Sequence, residues 1–227
     1  MRNPSLFLRV FPVLVATVGA ALLVSITVHE FSHALLALGL GDRTAQRMGR
    51  LSLNPLRHLD PWGTLLLFLV GFGWGKPVPV NPNSLRGGLR GMAIVAAAGP
   101  VANGVGALLL ALPIRAGVVG WQPPFAVDLL GGAESFVAGL LATTIFLNLL
   151  LAIFNLLPFF PLDGAKVVLG LLPRNLSAKV ARWEAYGPAL LLVLITVDMV
   201  TRLGILRTLL GPVVNYAGEL IVGHGMF

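Results

Sequence analysis

Residues 24–40 read VSITVHEFSHALLALGL. Apart from Ser25, Thr27, Ser32, His29, Glu30 and His33, every residue in this stretch is apolar. The same apolar character continues upstream to Phe11, so Phe11–Leu40 reads as one helix long enough to cross a bilayer, which needs about 20 residues, with a bend or break expected near Gly19. The first twenty residues imitate a secretory signal, with Arg2 and Arg9 before an apolar core. The run continues without interruption through the histidines, which argues against cleavage.

Composition agrees with a membrane setting. The chain has 227 residues, is 56% hydrophobic and 11% charged, and has a mean hydropathy of +0.88; a soluble domain carries about 25% charged residues. The net charge of +7 reflects 16 Lys and Arg against 9 Asp and Glu, and no nucleic-acid partner follows from it. With no cysteine there are no disulfides or thiolate ligands, so any metal must be held by His, Asp or Glu.

Outward from the first helix comes the polar loop GDRTAQRMGRLSLNPLRHLD, then PWGTLLLFLVGFGWG, short and glycine-rich and expected to be half inserted. The extended stretch KPVPVNPN follows. Further helices are expected at Met92–Leu112, Ser135–Leu157, Ala185–Leu203 and, more weakly, Leu206–Val222. The expected fold is an all-α polytopic membrane protein of about five to six transmembrane or half-inserted helices, in one membrane domain, with a short extended edge strand near the active site. Loops 41–60, 75–91 and 162–184 hold eleven of the 16 basic residues, including Arg50 and Lys179, which places them on the cytoplasmic side. The 113–134 connection, with Gln122, is expected to face the other side.

His29, Glu30 and His33 form H-E-x-x-H. On a helix of 3.6 residues per turn, positions four apart share a face, so both imidazoles can reach one zinc ion. Glu30 is turned about 100° from His29, near enough to a water at the metal to serve as base without being a ligand. Chance clusters of this kind exist, but ionisable groups within a membrane cost about 2.5–3.5 kcal/mol each and mark function by default.

A catalytic zinc normally has three protein ligands. Asp128 and Glu134 are expected on the wrong side of the membrane, Asp42 follows Gly41 as a turn residue, and Asp60 precedes Pro61 as an N-cap. Asp163, in NLLPFFPLDGAK, is the best candidate; the competing reading makes it an ordinary N-cap of the next helix, GAKVVLGLL.

HEFSH, FGWGKPVPVNP, AAGPVAN and NLLPFFPLDG, in that order, resemble the site-2 protease family of intramembrane zinc metalloproteases over roughly residues 25–170, the expected catalytic core. The likeness is to compact members, with no room for an inserted PDZ or CBS domain. The resemblance implies one Zn2+ per chain bound by His29, His33 and Asp163, with Glu30 as catalytic base and Asn155 assisting, for which a helix-packing amide is the plainer alternative. It also implies a multi-pass protein of the cell membrane that cleaves transmembrane protein substrates within the lipid bilayer, with its active site toward the cytoplasm. His58 is read as structural and His224 as solvated.

A transmembrane helix must be unwound before hydrolysis. In GKPVPVNP, Pro77 and Pro79 lack N–H groups while Val78 and Val80 keep theirs, so a one-sided strand there is expected to bind unwound substrate; a rigid shielding loop is the alternative. A zinc-dependent transporter or metal-binding scaffold is the competing function, but it has no need of a non-ligand carboxylate such as Glu30 beside the metal.

Overall fold

A computed structural model describes residues 4–70, 73–126 and 131–227. Asp128, set aside above on topological grounds, lies outside the described residues. Among the described residues the secondary structure is helical, with no sheet: α1 (Pro4–Gly39), α2 (Thr44–Arg47), α3 (Pro61–Val70), α4 (Leu89–Arg115), α5 (Gly132–Asn155), α6 (Asp163–Leu171), α7 (Arg174–Ala181), α8 (Gly187–Thr201) and α9 (Ile205–Val222). Five helical stretches, Val10–Gly39, Leu89–Arg115, Gly132–Asn155, Arg174–Thr201 and Ile205–Val222, are long and apolar enough to cross a membrane. The protein is therefore an all-α, multi-pass membrane protein.

α1 is one continuous helix of 36 residues. The break considered near Gly19 is absent: a lone glycine costs a helix only about 1 kcal/mol, and nothing lies within 4 Å of the position its Cβ would take. α3 has 10 residues, about 15 Å at 1.5 Å each, and is too short to cross a hydrocarbon core. Asp60 caps it as expected, accepting the Gly63 N–H at 2.9 Å. The expected helix from Ala185 begins at Gly187, with Pro188 in its first turn, and α7 precedes it as a separate short helix; proline is preorganised for such a start.

The chain groups into two compact units, each assembled from distant segments. The first, Met1–Ser25, Asn103–Ile153 and Arg207–Phe227, has an apolar core that includes Ala107, Ala111, Ile145, Leu149 and Val214. It also holds a buried polar knot. Asn103 Nδ2 donates to Ser25 O at 3.0 Å and to Asn148 Oδ1 at 2.7 Å, and Asn148 Nδ2 donates to Ser25 Oγ and Thr144 O, both at 2.8 Å. In an apolar setting such amides hold helices together because their alternative is to go unpaired. His224 is exposed, as expected of a tail residue, but its ring stacks on Trp121 with centroids 5.1 Å apart.

The second unit, Ile26–Ala102 and Phe154–Leu206, carries the H-E-x-x-H and L-D-G motifs. Here Asp42 does more than turn the chain. It is 1% exposed, its Oδ1 accepts from Thr44 N (2.9 Å) and Thr44 Oγ1 (2.5 Å), and its Oδ2 accepts from Asn81 N (2.7 Å). Burial raises the pKa of this carboxyl, but the hydrogen bonds from Thr44 and Asn81 outweigh burial and hold it below the ordinary carboxylate range. A folded-state pKa below the unfolded value of about 3.9 contributes stability above that value and loses it as pH falls through the folded pKa. Asp42→Asn should therefore lower thermal stability near neutrality by about 1–3 kcal/mol and flatten its decline between about pH 5 and pH 2. Parallel pH–stability curves for the two proteins would contradict this role.

Candidate active site

α1 supplies three pieces of the site, because His29 and His33 lie one turn apart on it and Glu30 follows His29. Both imidazoles are buried, at 5% and 7% exposure, and their rings meet edge to face with centroids 4.6 Å apart. Asp163 arrives from 134 residues further along the chain than His29. α5 ends at Asn155, and the tight turn through 156–162 delivers the first residue of α6. Gly164 is required there: a Cβ on it would collide with the Leu156 and Leu157 carbonyl oxygens. That contact is the physical content of the glycine in L-D-G.

Asp163 is not the N-cap of α6. Leu162 holds that position with no side-chain cap, and the Asp163 carboxylate turns instead to the histidines, with Oδ2 at 3.1 Å from both His29 Nε2 and His33 Nε2. Ligand atoms of the three residues lie within 4.8 Å of one another. Among the described residues this trio is the cluster able to hold a metal, and Asp60 and His58 do not join it. His58 is fully buried, with Nε2 at 2.7 Å from Ser52 O, which fits a structural role.

The donor set fits zinc. His33 Nδ1 lies 2.7 Å from the Val95 carbonyl, which can only accept, so Nδ1 carries the proton and Nε2 of the neutral ring presents a lone pair. That lone pair faces a carboxylate oxygen at 3.1 Å. Two acceptors at this distance call for a cation between them, and tetrahedral bonds of about 2.0–2.1 Å place ligand atoms about 3.3 Å apart. Gly99 of α4 leaves the space beside them: its Cβ would lie 2.5 Å from His33 Nε2 and 2.6 Å from His29 Nε2.

Glu30 is half-buried and outside the metal-ligand trio. Its Oε2 accepts the Val78 N–H at 3.0 Å. This corrects the expected edge strand. The 76–81 segment carries no strand, the nearby pairing is the isolated antiparallel bridge Leu59–Gly75, and the Val78 donor is already engaged. Prolines at 77 and 79 leave one edge of the segment without donors, and on the other edge Glu30 occupies the Val78 donor. Val80 is half-buried and packs with Ala37, Leu85 and Val95. Asn155 closes α5 and is half-buried. The Val95 carbonyl, the Gly99 gap and the buried Arg50 were not singled out as site features from sequence; the one sequence signal was Gly99 within the AAGPVAN motif.

Two imidazoles on a helix long and apolar enough to cross a membrane, facing the Asp163 carboxylate of α6, with Glu30 as a separate carboxylate beside them, define a membrane metallohydrolase site of the H-E-x-x-H class. The model of peptidase family M50 matches residues 124–195. The chain is 38% identical over 215 residues to "Putative zinc metalloprotease YwhC" of Bacillus subtilis, covering 95% of this chain and 91% of that protein. It is 36% identical over 151 residues to "Putative zinc metalloprotease Rip2" of Mycolicibacterium smegmatis, covering 64% of this chain and 53% of Rip2, so the match spans about half of that relative. No solved structure matches the chain. The chain belongs to peptidase family M50, the site-2 protease family, and is a zinc metalloprotease.

Proposed function

We propose that this zinc metalloprotease is an endopeptidase of the cell membrane that cuts transmembrane protein substrates within the lipid bilayer, from a site toward the cytoplasm. The observation that carries this reading is the convergence of His29 Nε2, His33 Nε2 and Asp163 Oδ2 beside a helix apolar enough to span a membrane. These three residues would hold the metal. A zinc ion held there would supply a water acidified toward a pKa of about 7 and a polarised scissile carbonyl. Glu30 takes a proton from the attacking water as the water oxygen adds to the scissile carbonyl carbon, and returns the proton to the amine as the C–N bond breaks. The Val78 N–H fixes one Glu30 oxygen and leaves the other for the proton. Asn155 offers its amide to the developing oxyanion. Unwound substrate lies along 77–80 and takes the Val80 N–H, while the Val78 N–H stays on Glu30.

Alanine at His29, His33 or Asp163 should each lower zinc content from one equivalent toward zero in purified protein, because two ligands cannot make a tetrahedral site. Full zinc in Asp163→Ala would remove Asp163 from the set.

Orientation is tested by single cysteines, which the cysteine-free sequence makes clean. Arg50 is a poor reporter because it is only 5% exposed, whereas Lys179 and Val118 are exposed. Lys179→Cys should label from the cytoplasm and Val118→Cys from the opposite side; labelling of both from one side would refute the orientation.

A further inference from the structure

Arg50 is a buried cation whose charge the hydrolytic reading leaves unused. It is 5% exposed, and its backbone N–H is anchored to Ala45 O at 2.8 Å. Its Nη1 donates to the Arg57 carbonyl, and its Nη2 donates to the Lys76 carbonyl and, at 3.3 Å, to the Pro77 carbonyl. Among the described residues no carboxylate lies within ion-pair distance of it. Burying a guanidinium costs several kcal/mol, and an apolar side chain would fill the space without that cost.

The location of its hydrogen bonds explains the charge. Pro77 C=O and Val78 N–H belong to one peptide unit, which is trans. The planar group points its oxygen and its hydrogen in opposite directions. Arg50 grips the oxygen end and Glu30 Oε2 the hydrogen end. The peptide dipole thus lies aligned between a cation and an anion. Burial pushes the Arg50 pKa down while the Glu30 charge pushes it up, as groups in electrostatic contact do.

We infer that Arg50 is a positioning residue for hydrolysis: by clamping the carbonyls of Arg57, Lys76 and Pro77 it presents the Val78 N–H to Glu30 and so fixes the carboxylate that moves the proton. This rests on Glu30 being the base. The arginine fork matters as well as the charge, because a lysine ammonium cannot hold three carbonyls in one fixed geometry.

The test uses full-length protein in detergent, comparing Arg50→Lys and Arg50→Ala with wild type by hydrogen–deuterium exchange and by hydrolysis of fluorescently labelled unfolded casein. Within 76–80 only Lys76, Val78 and Val80 have amides to exchange. Arg50→Ala should speed exchange of the Val78 amide by about tenfold or more, as Glu30→Ala should, and the double variant should exchange no faster than either single one. In the same protein zinc stays near one equivalent, while kcat falls by about 10²-fold, the cost of a misplaced catalytic group, with KM nearly unchanged. Arg50→Lys should fall between, and it stands in for Arg50→Ala should the alanine variant fail to fold. Unchanged Val78 exchange, faster exchange throughout the protein in both variants, or a loosened Val78 with kcat intact would each overturn the clamp. If wild type leaves casein intact, the hydrolytic reading is what fails, and the exchange result still decides whether Arg50 holds the segment.

Discussion

Glu30→Gln should keep zinc near one equivalent per chain while hydrolysis falls by at least the 10²–10⁴-fold that general-base catalysis supplies. The separation follows from the geometry. The three residues able to hold a metal are His29, His33 and Asp163, and Glu30 stands outside that trio. Its Oε2 accepts the Val78 N–H. A glutamine oxygen can accept the same hydrogen bond, so the variant keeps the shape of the site and the position of the 76–80 segment. It loses one capacity, since an amide at neutral pH does not take a proton from water. The variant should also hold an uncleaved transmembrane substrate long enough to be co-purified. Zinc analysis and cleavage of a membrane-spanning substrate, measured on one preparation, decide the matter. Undiminished cleavage would end the role assigned to Glu30, and loss of zinc would move it into the ligand set.

How far the sequence could be read depended on whether a feature is local. His29 and His33 are four residues apart on one helix, and helical periodicity alone puts them on one face. Asp163 lies 134 residues from His29, yet it was reached by setting aside acidic residues expected on the wrong side of the membrane, in a turn or at a helix cap. The same reasoning misjudged the segment 76–80. Alternating Pro and Val suggested a strand with one free edge, but the partner of the Val78 N–H is a side chain 48 residues away. Nothing in the local pattern encodes that partner. Arg50 was counted as a basic loop residue that sets topology, since a cation bound to three carbonyls looks in sequence like any surface arginine. The Val95 carbonyl that fixes the His33 tautomer has no sequence signature at all, because every residue carries a carbonyl.

Gly99 shows the same limit, and it carries the most discriminating substitution in the site. Glycine inside a helix normally costs about 1 kcal/mol relative to alanine, so Gly99→Ala within α4 would ordinarily stabilise the protein. Here the added methyl would sit 2.5 Å from His33 Nε2 and 2.6 Å from both Nε2 and Cε1 of His29. Those two nitrogens are the atoms that face Asp163. The rings cannot simply swing aside, since His33 Nδ1 is tied to Val95 O one turn away on the same helix. Either that hydrogen bond breaks or the imidazoles turn from their common point. Disturbing a group that merely orients a ligand already costs about 10- to 100-fold in metal affinity, and displacing two ligand atoms should cost at least as much. Gly99→Ala is therefore expected to purify with helicity intact, little zinc and no measurable proteolysis. Gly104→Ala on the same helix is the control, because nothing lies within 4 Å of its Cβ position, and it should keep both zinc and activity. Circular dichroism, zinc content and hydrolysis on the pair give the answer: full zinc in Gly99→Ala would mean that α4 does not press on the histidines, and equal zinc loss in Gly104→Ala would trace the effect to the helix rather than to the gap beside the metal.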